Sequence, residues 1–149
     1  MATLTPTLTL SCTDLTSDAT NFTVTDSLSV TAPAGAVQKI SSAANPLAAG
    51  AGILLTEAAT TGTTFVYLRH TGLLASDGTT AAHASNDFII LTNEDGDHDF
   101  MKLQPGEFCF FPLKEFDGGD GGSDSEPGGL KIEVGSAAVM IEFAYWTRS

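Results

Sequence analysis

Basic side chains are scarce in this chain: six Lys and Arg stand against eighteen Asp and Glu, a net charge of −12 over 149 residues. Reading nucleic acid requires a basic stripe along the phosphates, and none can be assembled here, which excludes nucleic acid as a partner. Charged residues of both signs reach only 16%, below the usual quarter or so. Polarity comes instead from Thr and Ser, which suit exposed strand faces better than helices. Cysteine is limited to Cys12 and Cys109, far apart in sequence and without CxxC or other metal spacing. Two separate buried thiols are the expectation, with a disulfide between them as the alternative. No apolar run nears the ~20 residues needed to cross a bilayer. The opening MATLTPTLTL has neither the basic nor the apolar segment of a signal peptide. The expectation is a soluble chain made in a cytoplasm, with no membrane partner.

Catalytic patterns are missing as well. His70, His83 and His98 stand apart, outside any HxH or HExxH arrangement. Gln104-Pro105-Gly106-Glu107 looks like a turn between cupin-type strands, but the closely spaced histidines of a cupin metal site are absent. There is no GxSxG elbow, P-loop or Rossmann glycine pattern, and no internal repeat. No enzyme activity, cofactor or metal site is expected. His70 reads as the end of a strand and His83 as a loop residue, both polar and exposed.

What the chain does have is period two. Leu4, Pro6, Leu8, Leu10 and Cys12 alternate with Thr3, Thr5, Thr7, Thr9 and Ser11, the pattern of a half-buried strand. Pro6 cannot donate to a ladder, which makes this an edge strand or extended arm. A polar turn follows at 14–20, then a second alternating segment through Phe22, Val24, Leu28 and Val30. Val37–Ile40 reads as a short strand, and 41–61 as a loop followed by a strand at Ile53–Glu57. Phe65–Leu68, Phe88–Leu91, Phe108–Phe111, Leu130–Val134 and Val139–Trp146 are strands bounded by Gly, Asn, Asp or Pro. Nearly ten short strands without a helix predict an all-β fold, an antiparallel β-sandwich, jelly-roll-like, with an extended N-terminal strand or arm. The arm covers 1–20, and 21–149 form a single β-sandwich domain.

The runs FVYL, FIIL and FCFF are apolar on both faces, whereas an ordinary sandwich strand shows one face to water. An arm, a loop or another subunit must cover the second face, since an uncovered sheet of low charge associates. A symmetric oligomer is the economical cover, with the N-terminal strand exchanged between neighbours. Val139, Ile141, Phe143 and Tyr145 read as a core face. Met140, Ala144 and Trp146 on the other face are interface candidates, rather than Tyr145 and Trp146 forming a sugar-stacking platform.

Two acidic loops hold nine of the eighteen acidic residues. In 93–99, Asp95, Asp97 and Asp99 resemble the first ligands of an EF-hand. Counting from Asp95, however, Phe100 stands where Gly is required and Gly106 where Glu is required. In 115–129, EFDGGDGGSDSEPGG places Ser123 and Ser125 at the Asp and apolar positions of a GGxGxDxUx repeat. Both loops therefore read as solvated turns that keep the molecule acidic and soluble.

Several segments together resemble the small virion structural proteins of tailed bacteriophages, marine ones in particular. They are the N-terminal Thr/Leu alternation, FVYLRHTG from Phe65, LQPGEFCFFPL from Leu103 and the terminal IEFAYWTRS from Ile141. Pro105, Gly106 and Glu107 match the PGE turn of those proteins. Tyr67-Leu68-Arg69-His70 matches their Tyr-Ile-x-Asn strand, with His70 in place of Asn. The resemblance implies a non-catalytic structural component of a virion, made in the host cytoplasm. It points to a capsid decoration (cement) protein whose partners are its own copies, as a trimer, and the major capsid protein. The alternative is a tail- or fibre-associated domain that binds a receptor glycan.

Overall fold

The computed structural model describes residues 2–12, 20–30, 34–40, 53–55, 63–93, 99–114 and 130–147, which hold twelve strands and no helix. The acidic segments 94–98 and 115–129 lie outside the described residues, as does the turn at 13–19. One four-stranded antiparallel sheet contains β5 (Ala34–Ile40), β7 (Thr63–Leu74), β10 (Phe108–Lys114) and β12 (Val139–Thr147), in the order β10-β7-β12-β5. The second contains β6 (Ile53–Leu55), β8 (Ile89–Asn93), β9 (Asp99–Leu103) and β11 (Leu130–Val134), in the order β6-β11-β8-β9. The remaining strands, β1 (Ala2–Leu4), β2 (Thr7–Cys12), β3 (Thr20–Thr25) and β4 (Leu28–Val30), pair among themselves as β1-β4 and β2-β3. The all-β antiparallel expectation holds. β9 was not anticipated, because Asp99-Phe100-Met101-Lys102-Leu103 lacks a clean alternation, and β7 runs well past the expected Phe65–Leu68.

The eight strands of the two large sheets pair in a nested way. β5 pairs β12, β6 pairs β11, β7 pairs β10, and β8 pairs β9, all antiparallel. The chain folds back on itself like one long hairpin, whose successive pairs alternate between the sheets. One core joins the sheets: Val66, Leu68, Leu113, Val139, Ile141 and Phe143 from the first meet Ile89, Leu91, Leu103, Leu130 and Ile132 from the second. Each such side chain, fully buried, contributes about 1.5–3 kcal/mol.

Local chemistry sets the turns. Gln104-Pro105-Gly106-Glu107 is a type II turn: Glu107 N–H donates to the Gln104 carbonyl at 3.0 Å, Pro105 precedes, and Gly106 takes φ +90°. The expected turn is present, and it carries the chain from the second sheet to the first. Asp77 Oδ1 accepts the Thr79 and Thr80 amides, each at 2.8 Å, while Gly78 adopts φ +69°.

Alternation decides what lies outside. In β7, Val66, Leu68 and His70 face the core, leaving Phe65, Tyr67 and Arg69 on the outer face. The β10 register places Pro112, Phe110 and Phe108 beside those three. Phe65 is nevertheless buried, stacked on Phe110 with ring centroids 6.0 Å apart. On the second sheet, the Lys102 ammonium lies 3.6 Å over the Phe88 ring, a cation–π contact that covers one end of FIIL from within the chain. The outer face of FCFF has less cover: Phe108 is 60% exposed.

Candidate assembly surface

The N-terminal strands form one ribbon. Ala2, Thr3 and Leu4 pair with Val30, Ser29 and Leu28, and Thr7 to Cys12 pair with Thr25 to Thr20, at the same offset throughout. The ladder is interrupted at Thr5-Pro6, where proline has no amide to give; across the gap, Asp26 N–H donates to the Pro6 carbonyl at 3.2 Å. Because the register pairs even with even residues, the faces separate completely. One carries Leu4, Leu8, Leu10, Val24, Leu28 and Val30. The other carries Thr3, Thr7, Thr9, Ser11, Thr23, Thr25 and Ser29. Cross-strand hydroxyl pairs tie this polar face together, Thr7 to Thr25 at 3.2 Å and Thr9 to Thr23 at 3.1 Å.

Burial falls along the ribbon. Val30 at its root is 1% exposed, and Leu4 and Leu28 are half-buried, whereas Leu8 is 47% and Val24 57% exposed. A two-stranded hairpin is marginal in water without a packed face, and this one leaves its distal apolar face largely open. Between the ribbon and the first sheet lies a cavity of about 690 Å³. Leu8, Val24 and Leu28 wall one side, and Phe65, Phe108 and Phe110 the other, and Asp26 is the one charged residue among the described ones that line it. Phe110 also meets the edge of Trp146, at 6.3 Å between centroids. Cys109, a free thiol on β10, lines the same cavity, and burial pushes it up to about 11.

His70 corrects the sequence reading. It does not end a strand in water; it lies inside β7 and is 0% exposed. Gly72 N–H donates to Nδ1 at 3.1 Å, so the ring proton is on Nε2, which donates to the Asp87 carbonyl at 2.6 Å. Asp87, also buried, accepts the His83 amide at 2.7 Å and the Ser136 hydroxyl at 2.8 Å on its two carboxylate oxygens. These bonds, the His83 amide first, hold its carboxyl below the usual range against the opposing effect of burial. The Ser136 proton points to the carboxylate and no imidazole stands between them, which is the geometry of a loop clamp rather than of nucleophile activation. His83 is exposed, as expected.

On the outer sheet face, Glu142 accepts from Tyr67 at 3.3 Å and Arg69 at 3.4 Å. This cluster is open to water, and an ion pair of that kind contributes little. Val139, Ile141 and Phe143 form the expected core face, and Tyr145 packs on Phe143. Among the described residues, no three His, Cys, Asp or Glu side chains gather as a metal site; Glu94, Asp95, Asp97, His98 and the acids of 115–129 lie outside them. The side chain of Cys12 is likewise outside the description. Asp87 escaped the sequence reading, since a single Asp before an apolar strand looks like any turn former. The open face of β10 was legible in FCFF. The chain matches no protein-family model, and neither a curated protein nor a solved structure is similar to it.

Proposed function

We propose that this chain is a structural component of a bacteriophage virion, a capsid decoration protein built on a jelly roll. It would stabilise the shell through β-rich contacts with its own copies and with the major capsid protein. The nested pairing of β5 to β12, in which first pairs last and the pairs alternate between sheets, supports a jelly-roll reading. That fold hosts many functions, so the weight rests on one observation. The distal ribbon and the outer face of β10 expose Leu8, Leu10, Val24 and Phe108 around a groove whose described lining holds one charged residue, Asp26. Such a surface in a free monomer invites association, and a permanent assembly supplies its cover. The resemblance of the FVYLRHTG, LQPGEFCFFPL and IEFAYWTRS segments to phage virion proteins points the same way. Tyr145 packs on Phe143 and Trp146 meets Phe110, which favours the decoration reading over a receptor-glycan platform. Quantitative mass spectrometry of virions that carry this protein tests the reading. A decoration protein is present at on the order of hundreds of copies per particle. A few to tens of copies support the tail alternative, and absence from the particle overturns the proposal.

A further inference from the structure

We infer that the N-terminal ribbon is a pairing arm for a second copy of this chain. The distal apolar face of each ribbon, Leu8, Leu10 and Val24, packs on Phe108 and Phe110 of the other copy in a two-fold pair, in place of the trimer that the resemblance implies. This rests on the structural role proposed above and specifies its first contact.

Both halves of the contact are present in one chain, and among the described residues neither is covered. The ribbon root is sealed at Val30, while its outer half stands off from β10 across about 690 Å³ of unfilled space. The space is a groove open to water, so its two apolar walls stay exposed until a partner covers them.

Charge selects the occupant. β2, β3 and the stretch Phe108–Leu113 contain no charged residue, in a chain of net charge −12. Elsewhere on the surface two copies repel; at this face they meet without that penalty. A basic partner would be drawn by an acidic lining, and among the described lining residues Asp26 is the one acid.

Area selects reciprocity. Strands of six residues at ~3.3 Å per residue, two strands ~5 Å apart, present a face of about 200 Å², or ~400 Å² when both contacting surfaces are counted. One such contact has the size of lattice packing. Two, one given and one received by each copy, approach the ~1,000 Å² of a specific interface before side-chain relief is added. A two-fold axis generates this second contact automatically.

The test is light-scattering mass across roughly 1–100 µM for wild type, Val24→Lys, Phe108→Asp, an equimolar mixture of the two variants, and Thr9→Lys on the polar face. Wild type is expected at twice 15.4 kDa. Each apolar-face variant should weaken pairing at least tenfold. The mixture should regain it, because the introduced ammonium and carboxylate face each other across one contact while the other stays native. Thr9→Lys should pair like wild type. Trp146, the chain's one tryptophan, sits against Phe110 and reports pairing by its fluorescence; thermal melting verifies that each variant is folded. A wild-type monomer throughout the range overturns the inference, as do a mixture that stays monomeric and a Thr9→Lys variant that fails to pair. A monomer still found at high copy number in virions removes this pairing but leaves the structural role standing. A dimer absent from virions does the reverse.

Discussion

Replacing Asp87 by Asn removes a charge without changing the shape of the side chain, and the cost follows from the bonds its carboxylate accepts. Oδ2 takes the His83 amide at 2.7 Å and Oδ1 the Ser136 hydroxyl at 2.8 Å. An Asn can keep its carbonyl on His83 and turn its NH2 toward Ser136, whose hydroxyl rotates from donor to acceptor. Both bonds survive, but each falls from the charged to the neutral class, a loss of about 1–3 kcal/mol in total at pH 7. The pH dependence has a defined sign. The carboxyl of Asp87 is held below its ordinary value in the folded state, so its stabilisation is complete above the unfolded value near 3.9 and is lost as pH falls through the lower folded value. Urea midpoints of wild type and Asp87→Asn, measured from pH 7 to pH 2, should therefore differ most at neutral pH and converge below about pH 4. Taking the difference cancels the other carboxylates, which titrate in both proteins. A gap of the same size at pH 2 and pH 7, or no gap at pH 7, would refute the clamp.

Three further outcomes follow from the same geometry. His70→Ala leaves the Gly72 amide and the Asp87 carbonyl without the ring and opens a cavity beside Ile141, so equilibrium unfolding should show a loss of about 3–5 kcal/mol; a loss below 1 kcal/mol contradicts a buried, doubly bonded ring. Gly135→Ala drives a Cβ into the Asn86 carbonyl oxygen and displaces the loop that bonds Gly135 and Ser136; a loss of at least about 2 kcal/mol, or roughly 4 °C in melting temperature, is expected. Cys109, pushed up to about 11, should react with iodoacetamide at pH 8 on the order of a hundredfold more slowly in the native protein than in urea, measured in a Cys12→Ser background; equal rates contradict burial of the thiol.

Strand existence was legible wherever alternation or an apolar run stood between Gly, Asp or Pro, as in Leu130–Val134, which is β11 residue for residue. The type II turn was legible because Pro-Gly fixes its dihedrals locally. β9 was not, since Lys102 fits its place only when the Phe88 ring is beneath it, and that contact is made across the fold. His70 was misread for a related reason. Its sequence neighbours Arg69 and Thr71 are polar, and its burial depends on partners at Gly72 and Asp87 that only the folded chain brings to its two nitrogens. The candidate surface was half legible. FCFF announced an uncovered face, and the Thr/Leu alternation announced a two-faced strand. The pairing of 2–12 with 20–30 into one ribbon poised over β10 needed the register.

Hydroxyl-radical footprinting of the protein in its assembled form, compared with the dissociated form, tests the central claim most directly. If the ribbon and β10 are the assembly surface, Leu8, Leu10, Val24, Phe108 and Phe110 lose labelling on assembly, while exposed residues that do not line the groove, such as His83, label equally in both. Equal labelling of Leu8, Val24 and Phe108 in the two forms would contradict it.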